Sequence, residues 1–459
     1  MNAMPLGASR RQLGWMILAG GLTAAAFPPL GAYPLILVSM AMFIWLLRDL
    51  DQQTARNLGV VYGLTLGLGT MYWFFVVFTF KALPLIFLMA LYFALLAQCI
   101  AMTRGMSALW RILITAACAV GIEWLRGDAW YLRFPWYNAP HALAQEPFFI
   151  APVRWLGAYG FSFVLWVITA AGVFWKPWAW LALPLLFAAG FLLPAFDAPN
   201  LKVLLVQAEE EQNLEPLIET IPTERVDLVV MPEYAFHRSV KSALASPKGP
   251  KAVALRTHAP VVFGAVDGGE YGTLNFFNVA VVIDADGKEL GTFPKQHPVP
   301  MMLDGKPGDR RPVFSIPGGV LGVSVCYDND APEVDASLVR AGATVLVAPT
   351  FDALWWTHIQ HVHHELLTRL RAVENDRWLL RAVSSGRSEV IDPHGHPSKE
   401  GIPIGEKGIF TLPFAHRTTF ALGGQLFWIG PVLFGILIGF VLIRGLLLWK
   451  MKQTGCFRE

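Results

Sequence analysis

The sequence is short of charge. Asp, Glu, Lys and Arg make up 15% of its 459 residues, where soluble domains carry about 25%. Its 36 basic and 34 acidic residues nearly cancel, leaving +2. No polyanion is implied, and nucleic acid is not an expected partner. Cysteine is also scarce. Of the four, Cys99 and Cys118 fall in apolar runs and Cys456 in the C-terminal tail. Cys326 therefore has no disulfide partner in reach, and no disulfide framework is expected. Internal repeats and low-complexity tracts are missing too. What is abundant is apolar and aromatic: 54% hydrophobic residues and 17 Trp, a composition suited to membrane interfaces.

The missing charge is missing from particular places. Apolar runs at about 13–29, 32–47, 57–80, 82–103, 108–126, 155–175, 177–194 and 425–449 each approach the ~20 residues that span hydrocarbon. They are apolar on all faces, unlike helices of a soluble core. The first has a basic start and small residues, as a signal peptide does. The next run follows so closely after Pro28 and Pro29 that a helical hairpin is preferred. Arg10, Arg11, Arg48, Arg56, Arg104, Arg111 and Lys176 fall on one side of these runs. Lys81 and the loop 127–154 fall on the other. The positive-inside rule makes the N-terminus cytoplasmic. Seven crossings put the chain after Pro194 outside, and an eighth returns it to Lys450 and Lys452 inside. Glu123 and Arg126 end one apolar run. Ionisable residues there are functional candidates by default, with snorkelling to the interface as the alternative.

From Leu201 to about His416 charge returns, and short strands alternate with helical stretches. Strands are expected at 202–208, 226–233, 259–266, 277–284, 320–326 and 343–349, and helices at about 334–341 and 359–377. The chain thus divides into helices at 1–197, an α/β domain at 198–420, and a last helix with its tail at 421–459.

Three strand regions lead to reactive residues: VDLVVMPE to Glu233, the stretch before FPKQHP to Lys295, and VLGVSVC to Cys326. Ligands collect beyond the carboxyl ends of strands in open α/β sheets. A thiolate is a nucleophile, and a nearby ammonium lowers its pKa. A carboxylate takes the thiol proton and returns it to a leaving group. The ammonium, with a backbone N–H, holds a tetrahedral oxyanion. Taken singly, Cys326 reads as a small buried hydrophobe, Glu233 as a helix-start charge and Lys295 as a solvated loop residue. Their order, each after a strand, favours the catalytic reading. His358, His361, His363, His364 and Glu365 are dense enough to suggest a metal, but no complete zinc motif is present. They read instead as a helix bordering the active-site mouth, so no metal or other cofactor is expected.

MPEYAF, FPKQHPVP and SVCYDND resemble the glutamate, lysine and cysteine motifs of the nitrilase superfamily. FPPLGAYP, GLTLGLGTMYWF, EWLRG, RFPW and LGAYGFSF resemble the membrane segments of apolipoprotein N-acyltransferases, as do LNFFNVAVVIDADG, RLRAVENDRWLLRAVSSG and DPHG in the polar domain. That resemblance implies an α-helical bundle of eight transmembrane helices carrying an αββα nitrilase-type sandwich, in the bacterial inner membrane with the sandwich periplasmic. It implies acyl transfer from a phospholipid, through a cysteine thioester, to the N-terminal diacylglyceryl-cysteine of a lipoprotein. Glu233 would be the base, Lys295 the oxyanion and thiolate stabiliser, and Cys326 the nucleophile. Tyr327 follows the nucleophile as in the family.

The chain also departs from that pattern. Leu303 stands where the family has a second glutamate, with Asp304 one residue on. Asp328 replaces a glutamate after Cys-Tyr. Phe351-Asp352 stands for Asn-Asp, and His363-His364 for Gln-His. The family's glutamine-glycine-asparagine is lost after Gln207. The interval from Lys295 to Cys326, which in the family carries a long apolar arm, is short. Tyr327, Asp328, Asp304, His364, Glu123 and Arg126 are the supporting or substrate-binding candidates. Two other readings stay open: a membrane-anchored amidase or a paralogue with another amine acceptor, such as the membrane nitrilases of conjugal-transfer systems, and a silent scaffold.

Overall fold

The computed structural model describes residues 8–209, 211–222 and 225–453; Cys456 and Glu210 lie outside them. The chain forms two compact units. One takes residues up to Gln145, Tyr159–Ala189 and the chain from Trp428. The other takes Glu146–Ala158 and Gly190–Phe427.

The first unit is helical. Four of its stretches are long and apolar enough to cross a membrane: Phe74–Met102, Ala108–Ala129, Val153–Phe174 and Ile429–Leu447. The others fall short of the expected lengths. Arg10–Ala25 has 16 residues and Leu35–Leu47 has 13, about 24 and 20 Å at 1.5 Å per residue. The run expected at 57–80 is not one helix. A helix covers Gln52–Thr70 and stops, because Tyr137 Oη donates to the Thr70 carbonyl at 2.9 Å and receives the Trp73 indole N–H at 3.0 Å. The run expected at 177–194 folds as three short turns over Pro177–Leu192. Pro177 and Pro184 cannot donate to a continuous ladder. Small residues set the closest packing. A Cβ on Gly59 would lie 2.5 Å from the Phe93 carbonyl, and one on Gly63 2.5 Å from Ala90 Cα. Helices Gln52–Thr70 and Ala82–Met102 therefore meet backbone to backbone, as small-residue stripes allow in membrane bundles.

The second unit is α/β. Its strands are β1 (Leu201–Gln207), β2 (Leu228–Val230), β3 (Val261–Asp267), β4 (Phe277–Ile283), β5 (Glu289–Pro294), β6 (Val313–Ile316), β7 (Gly319–Val323), β8 (Val345–Thr350), β9 (Leu379–Val383), β10 (Glu389–Ile391) and β11 (Gly408–Phe414). They form a six-stranded sheet in the order β11-β1-β2-β3-β4-β5 and a five-stranded sheet in the order β10-β9-β8-β7-β6. Alternation along β1 assigns the layers. Val203 and Leu205 join a core with Val323, Val345, Val347 and Leu380 of the other sheet. Leu204 and Val206 face Leu214, Ile218, Val253 and Ala254 from helices. Helices Pro332–Arg340 and His358–Asn375 flank the five-stranded sheet, giving four layers, α-β-β-α. Residues 146–158 group with this unit. The Arg154 guanidinium pairs with Asp376, and the Ala158 N–H donates to Glu374 Oε1 at 2.8 Å.

The expected strands appear within a few residues of their bounds, except that the cysteine strand ends at Val323, before the nucleophile. β5, β6, β9, β10 and β11 were not expected; β5 carries Gly291 and Pro294, and β9 carries Arg381.

Candidate active site

Two turns build the site. β2 ends at Val230, and Tyr234 turns the chain with φ 54°. The turn packs on Gly264 of β3, where a Cβ would sit 2.3 Å from the Tyr234 nitrogen, so a side chain there would push Glu233 away. Beyond β7, Cys326 itself has φ 52°. Positive φ is costly for a non-glycine residue, and such conformations cluster at functional turns. Asp328 holds this turn. Its buried carboxylate accepts the N–H of Val325 at 3.1 Å, of Gln296 at 3.0 Å and of His297 at 2.8 Å. It thereby ties the segment after Lys295 to the turn that bears Cys326.

Glu233, Lys295 and Cys326 come together, each no more than 3% exposed. Lys295 Nζ lies 2.7 Å from Glu233 Oε1 and 2.7 Å from Asp304 Oδ2. Asn278 of β4 donates Nδ2 to both carboxylates, at 2.6 Å to Glu233 and 2.9 Å to Asp304. Asp304 also accepts Tyr234 Oη–H at 2.7 Å and the Val299 N–H at 2.7 Å. The second carboxylate is thus Asp304, while Leu303 is 59% exposed at the mouth. Phe351 joins base to nucleophile. Its N–H donates to Glu233 Oε2 at 2.7 Å, and its carbonyl faces Cys326 Sγ at 3.7 Å. Tyr234, Tyr271, Val299, Met302 and Trp356 complete a cavity of about 100 Å³.

The electrostatics differ from the expectation of a depressed thiol. Burial and then Glu233 push the Cys326 thiol well up, and Lys295 only partly offsets them. Burial also raises Glu233; Lys295 opposes this and Asp304 adds to it. Burial works against the Lys295 ammonium, but Asp304 and Glu233 outweigh it and hold the lysine charged. The resting arrangement is a neutral thiol beside an ammonium shared by two carboxylates. It can take up a proton at Glu233 when the thiol is engaged.

The other candidates lie elsewhere. His364 does not line the cavity. Its Nδ1 meets Asp352 Oδ1 at 2.8 Å, and Asp352 also holds Gln360 Nε2 at 2.9 Å and Arg381 Nη2 at 2.7 Å. Asp352 follows Phe351 in the chain, so this buried group braces the peptide between base and nucleophile. Burial opposes charge on His364, but Asp352 outweighs it and raises the imidazole. Tyr327 is half-buried and outside the cavity lining. Glu123 and Arg126 belong to the helical unit. Sequence reasoning gave no role to Asn278 or Tyr234, and placed Asp352 at the family's Asn-Asp without making it a site candidate. For Asn278 a signal existed: one polar residue inside the apolar strand FNVAVVI.

Residues 19–171 match the family profile described as the apolipoprotein N-acyltransferase N-terminal domain, and residues 203–411 match carbon-nitrogen hydrolase. The polar unit is therefore of nitrilase type. Apolipoprotein N-acyltransferase from Geobacter metallireducens is 30% identical, over 84% of this chain and 86% of that protein. Those from Pseudomonas syringae pv. tomato and Shewanella oneidensis are 27% and 26% identical, covering 86% and 95% of this chain and 88% and 95% of their own. Among solved structures, an amidase from Nesterenkonia sp. is similar at 20% identity, covering 49% of this chain and 94% of its own with a TM-score of 0.39. Matched along both units and 30% identical to one such relative, the chain belongs to the apolipoprotein N-acyltransferase family.

Proposed function

We propose that this protein is a membrane acyltransferase that moves a fatty acyl group from a phospholipid, through a thioester on Cys326, to the N-terminal amine of a lipoprotein. One observation carries the reading: the Lys295 ammonium, shared between Glu233 and Asp304, lies in the same buried cavity as the Cys326 thiol. Glu233 takes the thiol proton as sulfur attacks the ester carbonyl. The oxyanion forms beside Lys295. Collapse breaks the acyl C–O bond, and the departing lysophospholipid oxygen takes the proton back from Glu233. The acceptor amine then attacks the thioester, loses a proton to Glu233, and expels the thiolate, which recovers that proton. Asp328 and the Asp352–His364 group position the turns.

Four helical stretches are long and apolar enough to cross a bacterial inner membrane; the proposed eight crossings need the bilayer to thin locally around the shorter ones. The asymmetry of Arg and Lys supports a periplasmic α/β unit.

A second reading, acylation of a different amine, is favoured by the loop after Lys295. It is short and fastened to its own unit. Lys306 N–H donates to the Phe276 carbonyl at 2.8 Å, Gly308 N–H to the Lys295 carbonyl at 2.7 Å, and Arg311 Nε to Gln296 Oε1 at 3.1 Å. Met301 and Leu303 are exposed and give it little apolar cover for the chains of a diacylated acceptor. The test gives purified protein phospholipid, then a diacylated lipopeptide, small amines or water. An acyl adduct on Cys326, absent in Cys326→Ala and discharged by the lipopeptide, is expected. Discharge by small amines alone favours the second reading, and a persistent adduct in Cys326→Ala refutes both.

A further inference from the structure

Arg126 lies in the helical unit, 5% exposed, and lines a cavity of about 40 Å³. A guanidinium carries five N–H donors and no acceptor. The hydrogen bond of its side chain, among the described residues, goes to Met89 Sδ at 3.3 Å, a weak acceptor. Glu123, in the same cavity, is already held: Ser162 Oγ donates to it at 2.7 Å and Trp166 Nε1 at 3.2 Å. Glu123 is the main opposite charge acting on Arg126, but no hydrogen bond among the described residues joins the two, and charged groups deep in an apolar bundle mark ligand or ion paths.

The backbone is also unusual there. The helix Ala108–Trp124 widens into a π turn over Leu125–Ala129, a form found mostly as single turns at functional sites. The Arg126 carbonyl leaves the helix ladder and accepts the Phe134 N–H at 2.8 Å. Tyr92, Glu123 and Asn138 share its lining with Arg126, and apolar Ile36, Met40 and Leu96 line it together with polar Thr23 and Tyr62. Leu96 follows Met89 by two helical turns, about 10 Å along the axis. The free space suits the oxygens of one oxyanion rather than a whole lipid. One water needs about 10–15 Å³ by this measure. The flexible Met40 and Leu96 side chains are those a chain would displace.

We propose that Arg126 is the anion-holding group of a lipid site inside the helical unit, taking the phosphate or carboxylate of an acyl-chain amphiphile whose chain runs toward Leu96. The site does not rest on the cysteine chemistry, and its test reads stability rather than turnover. The full-length protein in dodecyl maltoside is titrated with dodecyl phosphate, laurate, neutral monolaurin or inorganic phosphate, and its apparent Tm followed. Dodecyl phosphate or laurate should raise Tm in the wild type, the stronger of the two telling a phospholipid-type head from a fatty acid. In Arg126→Gln the midpoint should weaken at least about tenfold, because charge-assisted hydrogen bonds are lost. Arg126→Lys, which keeps the charge, should fall between, and it carries the test if Arg126→Gln does not fold. Equal midpoints in wild type and both variants, an equal response to monolaurin, a response to inorganic phosphate as strong as to dodecyl phosphate, or no response to any probe would overturn the proposal.

Discussion

Replacing Asp304 with Asn tests how the lysine is held. Asp304 makes one ion pair and accepts three hydrogen bonds, from Tyr234, Asn278 and Val299. An amide keeps the shape but removes the charge, and its NH₂ must face a donor. Removing one partner from a buried pair costs about 3–5 kcal/mol. Glu233 still holds Lys295, so the stability loss should sit at or below the lower end. The catalytic loss should be larger in effect. The ammonium would settle on Glu233 alone and leave the place where negative charge develops, a defect comparable to losing an oxyanion donor, about 10²–10³-fold in kcat. The pH profile supplies a second readout. Burial raises Glu233, and the like charge of Asp304 raises it further. The base form is needed for turnover, so the acid limb should lie above the ordinary carboxylate range. Without Asp304 that limb should move to lower pH. The assay is single-turnover acylation of Cys326 from phospholipid between pH 5 and 9, with Tm measured alongside. A rate within about threefold of wild type and an unmoved acid limb would refute the assignment of Asp304.

Glu233→Gln and Lys295→Met should each cost at least about 10²-fold, and the double variant little more, since groups acting as a unit are non-additive; fully multiplicative losses in the acylation rate would separate them. Asp352→Asn should lower the acylation rate and Tm together, because Gln360, His364 and Arg381 converge on that carboxylate. A change in Tm alone would leave it a purely structural residue. Burial, then the neighbouring Glu365, pushes Glu389 up to about 8. The native state therefore keeps a proton that the unfolded chain has already released, and stability should fall as pH rises from about 4.5 through about 8. Glu389→Gln should flatten that fall in thermal unfolding measured from pH 5 to 9. Reporter fusions near residue 300 should be periplasmic and C-terminal ones cytoplasmic; a cytoplasmic reporter near residue 300 would overturn the proposed topology.

How much of this the sequence reveals depends on the range of the interaction. Buried strands are legible because short uncharged apolar runs such as Val203–Val206 and Val345–Val347 carry their own signal. β9 is not, because Arg381 interrupts it, and its buried charge is met by Asp352, distant in sequence. The run 57–80 reads as one apolar helix, yet its break at Thr70 comes from Tyr137, a residue of a later loop. Asp304 makes the same point within the site. Counting positions puts Leu303 where a carboxylate is expected. But the loop is fastened at Lys306 and Gly308 to the backbone of Phe276 and Lys295, and that path, rather than the count, decides which side chain turns inward. Leu303 faces out and Asp304 reaches Lys295 at 2.7 Å. The loop thus supplies its carboxylate one residue beyond the expected place. The position of the charge follows from the path of the loop, not from its place in the count.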